Sequence, residues 1–361
     1  MKRLLLLLAV CSLGCWAQAQ QQLYAPMFNE SVMSGKVGDT DVRLYLGPSP
    51  YISRGVVDFI NSATRTLDIC VYEMNLHQVV DAILEAHGRG VKVRVAVSPA
   101  ATPHRNDPDL LDKFNTMKAR NILRYTKNRS GLMHNKFMVA DGRSVWTGSY
   151  NFTRNDTEMN DNNAVTFPNS LLAENYTAEF EEIWTGMHGK RNSTPTPHPV
   201  FRIGDVTVKN YFSPEDNVEA AIVDELMRAT NSIYIMAFAL TDRAMYSALT
   251  NQIAAGIKVF VLLDLTLSRQ ATSLNRPLRE AGATVRISSN NGNMHHKVIV
   301  IDENVVITGS ANFSASALNV NDENIIIFEC PPLARAFMRE FTRCWMAKPY
   351  IINKWTQPAS R

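Results

Sequence analysis

Two histidine–lysine pairs recur in this chain with the same neighbours. His134-x-Lys136 is followed by Asp141, Gly148-Ser149 and Asn151, and His295-x-Lys297 by Asp302, Gly309-Ser310 and Asn312, each 161 residues after its counterpart. Six fixed identities match at a given start by chance with a probability on the order of 10⁻⁸, so the pair is a strong motif. In a strand alternate side chains share a face, so each imidazole projects beside its ammonium group. Cleaving a phosphodiester needs a nucleophile at phosphorus, a proton for the leaving oxygen, and cations or hydrogen-bond donors around the non-bridging oxygens. Two histidines, two lysines and two asparagines supply all three. One imidazole attacks to give a phosphohistidine; the other, protonated, serves the leaving group and then activates water. Histidine suits both tasks because its unperturbed pKa is about 6.5.

The doubled pattern resembles that of the phospholipase D superfamily, which includes nucleases, phospholipases and cardiolipin synthases. In appearance it is similar to the small bacterial nucleases of that group. The resemblance covers both halves and implies an α/β fold: two similar α/β/α sandwich domains with one active site at their interface, and no metal or cofactor. It also implies a monomer with pseudo-two-fold symmetry. Family members commonly carry a glutamate at the place of Glu323, in the run Asn321-Asp322-Glu323-Asn324, to orient a histidine; the first half has Asn162 there. A carboxylate raises the basicity of an imidazole, whereas an amide only fixes its orientation. In some members this group comes from the opposite half, which pairs Glu323 with His134 and Asn162 with His295. On that basis His134 is the nucleophile and His295 the general acid. The expected catalytic set is His134, Lys136, Asn151, His295, Lys297, Asn312 and Glu323, supported by Asp141, Ser149, Asn162, Asp302 and Ser310.

Several nearby residues have plainer readings. Asp141-Gly142 is a hairpin-turn signal, and Asp302 holds the corresponding place, so both aspartates are expected to shape turns. His296 points to the opposite face of its strand, which suits packing. His77, His87, His104, His188 and His198 lack metal-ligand spacing, and no cysteine or carboxylate cluster accompanies them, so no metal site is assigned.

The elements that position the motif repeat as well. Each half predicts a helix, an apolar strand, a helix and a second apolar strand: 52–63, 67–72, 76–87 and 91–97, then 218–229, 233–239, 243–255 and 259–263. A connecting helix and a short strand (122–125; 284–287) follow, then two strands around a turn, then an apolar strand and a closing helix (164–167 with 171–184; 324–328 with 333–345). Near-continuous apolar strands alternating with helices indicate a sheet covered on both faces. Pro195, Pro197 and Pro199 mark a linker over 188–200, between a first domain at 20–187 and a second at 201–361.

The chain has 361 residues, 45% hydrophobic and 20% charged, which suits a globular protein. Met1-Lys2-Arg3, an apolar run and Ala17-Gln18-Ala19 form the three parts of a secretory signal peptide over residues 1–19, too short to span a membrane. A secreted or periplasmic protein without stable membrane insertion is expected. Without Lys2 and Arg3 the chain keeps 35 basic against 34 acidic residues, so net charge does not single out a nucleic-acid partner. Cys70 reads as a buried hydrophobe, and Cys330 and Cys344 could pair in an oxidising compartment. For substrate, nucleic acid is expected first. Arg105, Lys113, Lys118, Arg120, Arg124, Lys127, Arg129 and Lys136 lead into the first motif, against Asp107, Asp109 and Asp112, and could hold a polyanion; a solvated helix face is the alternative. A phospholipid head group is the other substrate class, supported by export and by Trp345, Tyr350 and Trp355, which could meet a membrane interface or cover a core. A catalytically dead nucleic-acid-binding module is disfavoured because both motifs are intact.

Overall fold

A computed structural model describes residues 25–26, 31–127, 131–187, 189 and 194–347. The first half runs β1 (Ala25–Pro26), β2 (Val32–Val37), β3 (Thr40–Leu46), α1 (Pro50–Ser62), β4 (Thr66–Val71), α2 (His77–Gly88), β5 (Lys92–Val97), α3 (Pro108–Ala119), β6 (Leu123–Tyr125), β7 (Lys136–Ala140), β8 (Ser144–Gly148), α4 (Arg154–Glu158), β9 (Asn163–Pro168) and α5 (Ser170–Thr185). The second runs β10 (Val200–Ile203), β11 (Val206–Ser213), α6 (Val218–Met227), β12 (Ser232–Ala237), α7 (Arg243–Ala254), β13 (Lys258–Leu263), α8 (Asn275–Ala281), β14 (Thr284–Ile287), β15 (Lys297–Ile301), β16 (Val305–Gly309), α9 (Ala315–Asn319), β17 (Glu323–Glu329) and α10 (Pro331–Met346).

Among the described residues each half forms one mixed sheet, ordered β1-β2-β3-β9-β8-β7-β4-β5-β6 and β10-β11-β17-β16-β15-β12-β13-β14. Apart from β1 the two orders are the same. In each sheet the last three strands are parallel, as helical crossovers require, and the hairpins supply the antiparallel remainder. The strands that carry the motifs, β7 and β15, lie centrally and are buried along their whole length. Local signals fix the helix starts: Ser49 accepts a hydrogen bond from the Tyr51 amide ahead of Pro50, and Asp242 and Asn169 cap α7 and α5 in the same way.

The apolar side chains sort into three cores. One lies under α1, α2 and α3 on the outer face of the first sheet, and a second lies at the matching place on the second sheet. The third contains residues of both halves, including Phe137, Tyr176 and Phe180 with Val298, Phe328 and Phe337. Helices α5 and α10 therefore form a shared middle layer, and each sheet is covered on both faces as expected.

Two features depart from the sequence reading. Each half opens with a hairpin that was not expected, β2–β3 and β10–β11, which extends the sheet beyond β9 or β17. The described end of the proline-rich stretch is also fastened to the fold. The His198 amide donates to Asn175 at 2.8 Å, the Asn175 amide group donates back to the His198 carbonyl at 2.8 Å, and Thr196 donates to Asp216. Cys70, Cys330 and Cys344 are all buried and unpaired. The signal segment 1–19, and Tyr350 and Trp355, lie outside the described residues. Trp345 covers a core: it stacks on Phe341 at 5.1 Å and carries the Arg286 guanidinium over its ring.

Candidate active site

The two motifs meet where the halves join. His134 and Met133 precede β7, and their backbone forms a parallel bridge with Asp322, at the start of β17 in the other half. The His134 amide donates to the Asp322 carbonyl at 3.0 Å, and the Asp322 amide donates to Leu132 at 2.9 Å. The second half repeats this with Met294 and Asp161: the His295 amide donates to Asp161 at 2.9 Å. Each histidine is thus held at its own backbone by the opposite half.

The side chains cross over too. His134 Nδ1 lies 2.7 Å from Glu323 Oε1, and His295 Nδ1 lies 2.8 Å from Asn162 Oδ1. Both acceptors fix the same tautomer, with hydrogen on Nδ1 and the Nε2 lone pair free. A serine holds each acceptor in turn: Ser310 donates to Glu323 at 2.6 Å and Ser149 donates to Asn162 at 3.0 Å. Gly148 and Gly309 precede these serines with φ of 153° and 146°, and a Cβ on either would meet the carbonyl of Asn163 or Asn324. Only glycine lets β8 and β16 pass that closely.

The lysines are fully buried. Lys136 Nζ donates to the His134 carbonyl at 2.6 Å and Lys297 Nζ to the His295 carbonyl at 2.7 Å, which leaves further N–H donors on each ammonium. Tyr72 stands edge-on to His134 with ring centroids 4.8 Å apart, and Phe238 stands likewise to His295 at 5.0 Å. Each ring also faces its lysine, at 5.3 and 5.2 Å. The histidines retain 9% and 8% exposure, so substrate reaches them through a narrow opening between aromatic walls.

Burial dominates the electrostatics and disfavours every cation here. It brings Lys136 down to about 8 against the pull of Glu323, Asp156 and Glu73. Lys297 falls well below its ordinary value through burial and the neighbouring Lys136. Burial also lowers His134, with Glu323 opposing, whereas His295 falls further because Lys297, Lys136 and His134 add to burial with no carboxylate beside it. The empty site therefore holds neutral imidazoles and a deficit of negative charge. An anionic phosphodiester supplies that charge, and on binding raises the tendency of His295 to carry a proton.

Other expected residues take distinct places. Asp141, at φ 54°, accepts from the amides of Thr64, Arg65 and Thr66 and from the Thr64 hydroxyl, away from the histidines. Asp302, at φ 53°, does the same for Thr230, Asn231 and Ser232. Both tie a hairpin turn to the start of the neighbouring strand. Asn151 Oδ1 accepts from the Glu73 amide at 3.3 Å, and the buried Asn312 Oδ1 has no hydrogen-bond partner among the described residues. Neither asparagine bonds a histidine. His296 is fully buried between Glu340 at 2.9 Å and Asn163 at 3.0 Å, so its packing role is that of a satisfied polar bridge.

The basic stretch before the first motif is not one track. Lys113 pairs with Asp81 and Asp109, Arg124 lies over Trp184 and donates to its carbonyl, and Lys136 is buried in the site. Arg105, Lys118, Arg120, Arg124 and Lys127 are exposed, while Arg129 lies outside the described residues.

Sequence reasoning missed Tyr72 and Phe238, and also Asn163 and Asn324, which bond Thr308 and Thr147 across the halves at 2.8 Å. The signal was available: Asn160-Asp161-Asn162-Asn163 repeats as Asn321-Asp322-Glu323-Asn324 with one change.

Known proteins agree with this arrangement. A family model described as "Cardiolipin synthase, PLD-like domain" matches residues 56–184 and again 222–345. A protein of Rickettsia conorii named phospholipase D is 37% identical over 134 residues, spanning 37% of this chain and 67% of that one. A mitochondrial cardiolipin hydrolase of Chlamydomonas reinhardtii is 35% identical over 128 residues, spanning 36% and 55%. Among solved structures, the phosphatidylserine synthase of Haemophilus influenzae shares the fold over 83% of this chain and 85% of its own, with a TM-score of 0.64 at 12% identity. With its motif-bearing unit matched in both halves, the chain belongs to the phospholipase D superfamily and is a phosphodiesterase of that group.

Proposed function

We propose that this chain hydrolyses phospholipid phosphodiesters through a phosphohistidine on His134. The pairing of His134 with Glu323, opposite a His295 paired only with an amide, supports this division of work. His134 Nε2 attacks phosphorus, the bond to the leaving oxygen breaks, and His295 passes that oxygen its Nε2 proton. Neutral His295 then takes a proton from water, whose oxygen displaces His134 from phosphorus. Lys136 and Lys297 face the non-bridging oxygens through both steps, and Glu323 carries the positive charge that develops on His134. The relatives' names, phospholipase D and cardiolipin hydrolase, favour a phospholipid.

Nucleic acid, the first expectation from the sequence, remains the second reading. The exposed Arg105, Lys118, Arg120, Arg124 and Lys127 favour it, since each could meet a backbone phosphate. Export through residues 1–19 and action as a monomer belong to the same proposal; fractionation of cells and light scattering test them. For the substrate, the protein lacking residues 1–19 is incubated in excess EDTA with phospholipid vesicles, plasmid DNA and RNA, beside His134→Ala and His295→Ala. Release of head groups with intact nucleic acid is expected. Nucleic-acid cleavage with intact lipid would replace the first reading by the second, and loss of all activity in EDTA would sink the metal-free mechanism.

A further inference from the structure

The shared middle layer breaks the symmetry of the halves at one buried place. In the second half α10 presents Glu340 and Arg343, and the Arg343 guanidinium lies 2.7 Å from both Glu340 and Asp161. The positions 161 residues earlier are Glu179, Glu182 and, across the halves, Asp322. A guanidinium is thus replaced by a carboxylate. The same strand register sets Glu215, which follows β11, where the first half has Ser49. His296, beside Glu340, becomes Asn135, which donates to Glu179 at 2.8 Å. Two carboxylates around a cation in one half therefore correspond to four carboxylates in the other.

Carboxylate oxygens of Glu179, Glu182 and Glu215 all lie within 4.8 Å of one another. Glu182 is only 7% exposed, and neither of its oxygens has a hydrogen-bond partner among the described residues. Asp322 is fully buried beside them, and its Oδ2 also lacks a partner there. No ion pair among the described residues reaches any of the four. Buried carboxylates without a counter-charge carry a large desolvation cost, which protons or a cation must offset. We propose that Glu179, Glu182 and Glu215 bind a divalent cation of the hard, oxygen-seeking kind, calcium first, in the place that the Arg343 guanidinium takes in the other half. Three carboxylates converging within 4.8 Å provide up to six oxygens, the donor type and number that calcium accepts. The cation is structural: it holds α5 of the first half to the Glu215 loop of the second. It stands outside the histidine–lysine chemistry.

Binding is read without activity. The protein is stripped with EDTA, dialysed, and titrated with calcium chloride, then magnesium and manganese chloride, by calorimetry and thermal melting. Saturating calcium is expected to raise the melting temperature on the order of 5 °C. Glu182→Gln is expected to lose most of that shift. Glu182→Arg, which copies the second half, is expected to melt higher than the stripped parent and to ignore calcium. The proposal is overturned if none of the three cations changes the melt, or if Glu182→Gln keeps the full response. It is equally overturned if acidification to pH 5 stabilises the stripped protein while calcium at pH 8 does not, which would show that shared protons hold the cluster. Should Glu182→Arg not fold, Glu182→Gln still decides the matter.

Discussion

The Nδ1 atom of His134 lies 2.7 Å from Oε1 of Glu323, a carboxylate carried by the other half of the chain. At the equivalent place His295 meets the amide oxygen of Asn162 at 2.8 Å. One substitution thus separates two sites that otherwise agree in their lysines, serines and backbone bridges.

Glu323→Gln makes the halves alike. It removes the group that opposes burial at His134, so the His134 pKa falls further. A nucleophile must be neutral, so the rising limb of the pH profile of kcat/KM moves to lower pH. The plateau drops by about 100-fold, because no carboxylate now stabilises the imidazolium-like charge that forms on attack. Steady-state rates between pH 4 and 9 test both effects. An unmoved limb would exclude His134 as the group titrating there.

The two histidines should separate by leaving group. With a p-nitrophenyl phosphodiester, whose phenolate departs without a proton, His295→Ala is expected to accumulate phosphoenzyme, while His134→Ala gives no burst. Acid-quenched protein mapped by mass spectrometry should carry phosphate on His134. A label on His295 would reverse the assignment.

Asp141 is expected to matter for stability rather than rate. Asp141→Ala removes an acceptor of three amides and a hydroxyl from a half-exposed turn, a loss of about 1–2 kcal/mol with kcat kept within about threefold. Burial alone would raise the Asp141 pKa, but the amide and hydroxyl donors hold it at about 2. Its folded value lies below its unfolded one, so its contribution is complete above pH 4 and is lost as pH falls towards 2. Urea melts at pH 7 and pH 2.5 check this: the penalty of Asp141→Ala should shrink at the lower pH.

Gly148→Ala and Gly309→Ala test the close passage of the strands. Each adds a Cβ against the Asn163 or Asn324 carbonyl at a φ that alanine avoids. A cost of about 2–4 kcal/mol is expected, with reduced kcat, since the next residue is the serine that holds Asn162 or Glu323. Chemical denaturation measures the first and turnover the second. A neutral result would mean that the strands separate without cost.

Much of the site was legible because a repeat is a comparison within one chain. An offset of 161 residues marks His134 with His295 and sets Asn162 against Glu323, and the crossed pairing follows once both motifs serve one site. Counting charges along the chain was less informative. Lys113 and Arg124 add to a basic run on paper, yet their partners Asp81 and Trp184 come from elsewhere in the sequence and remove them from a common surface. The hairpin β10–β11 alternates buried and exposed residues over Phe201, Ile203, Val208 and Phe212, but the prolines just before it dominate the local pattern. Glu179, Glu182 and Glu215 come together only through the packing of α5 against the second half, which no local window contains.

The backbone bridges Met133–Asp322 and Asp161–Met294 have a consequence for how such a site can change. In a dimer of identical subunits, every substitution strikes both copies of the site at once, so nucleophile and acid stay equivalent in the free enzyme. Here the two copies are covalently joined and interlocked, and each can drift on its own. Glu323 can remain a carboxylate while Asn162 is an amide, and Arg343 can keep a charge that Glu182 has reversed. Fusion released this protein from an obligation to be the same twice.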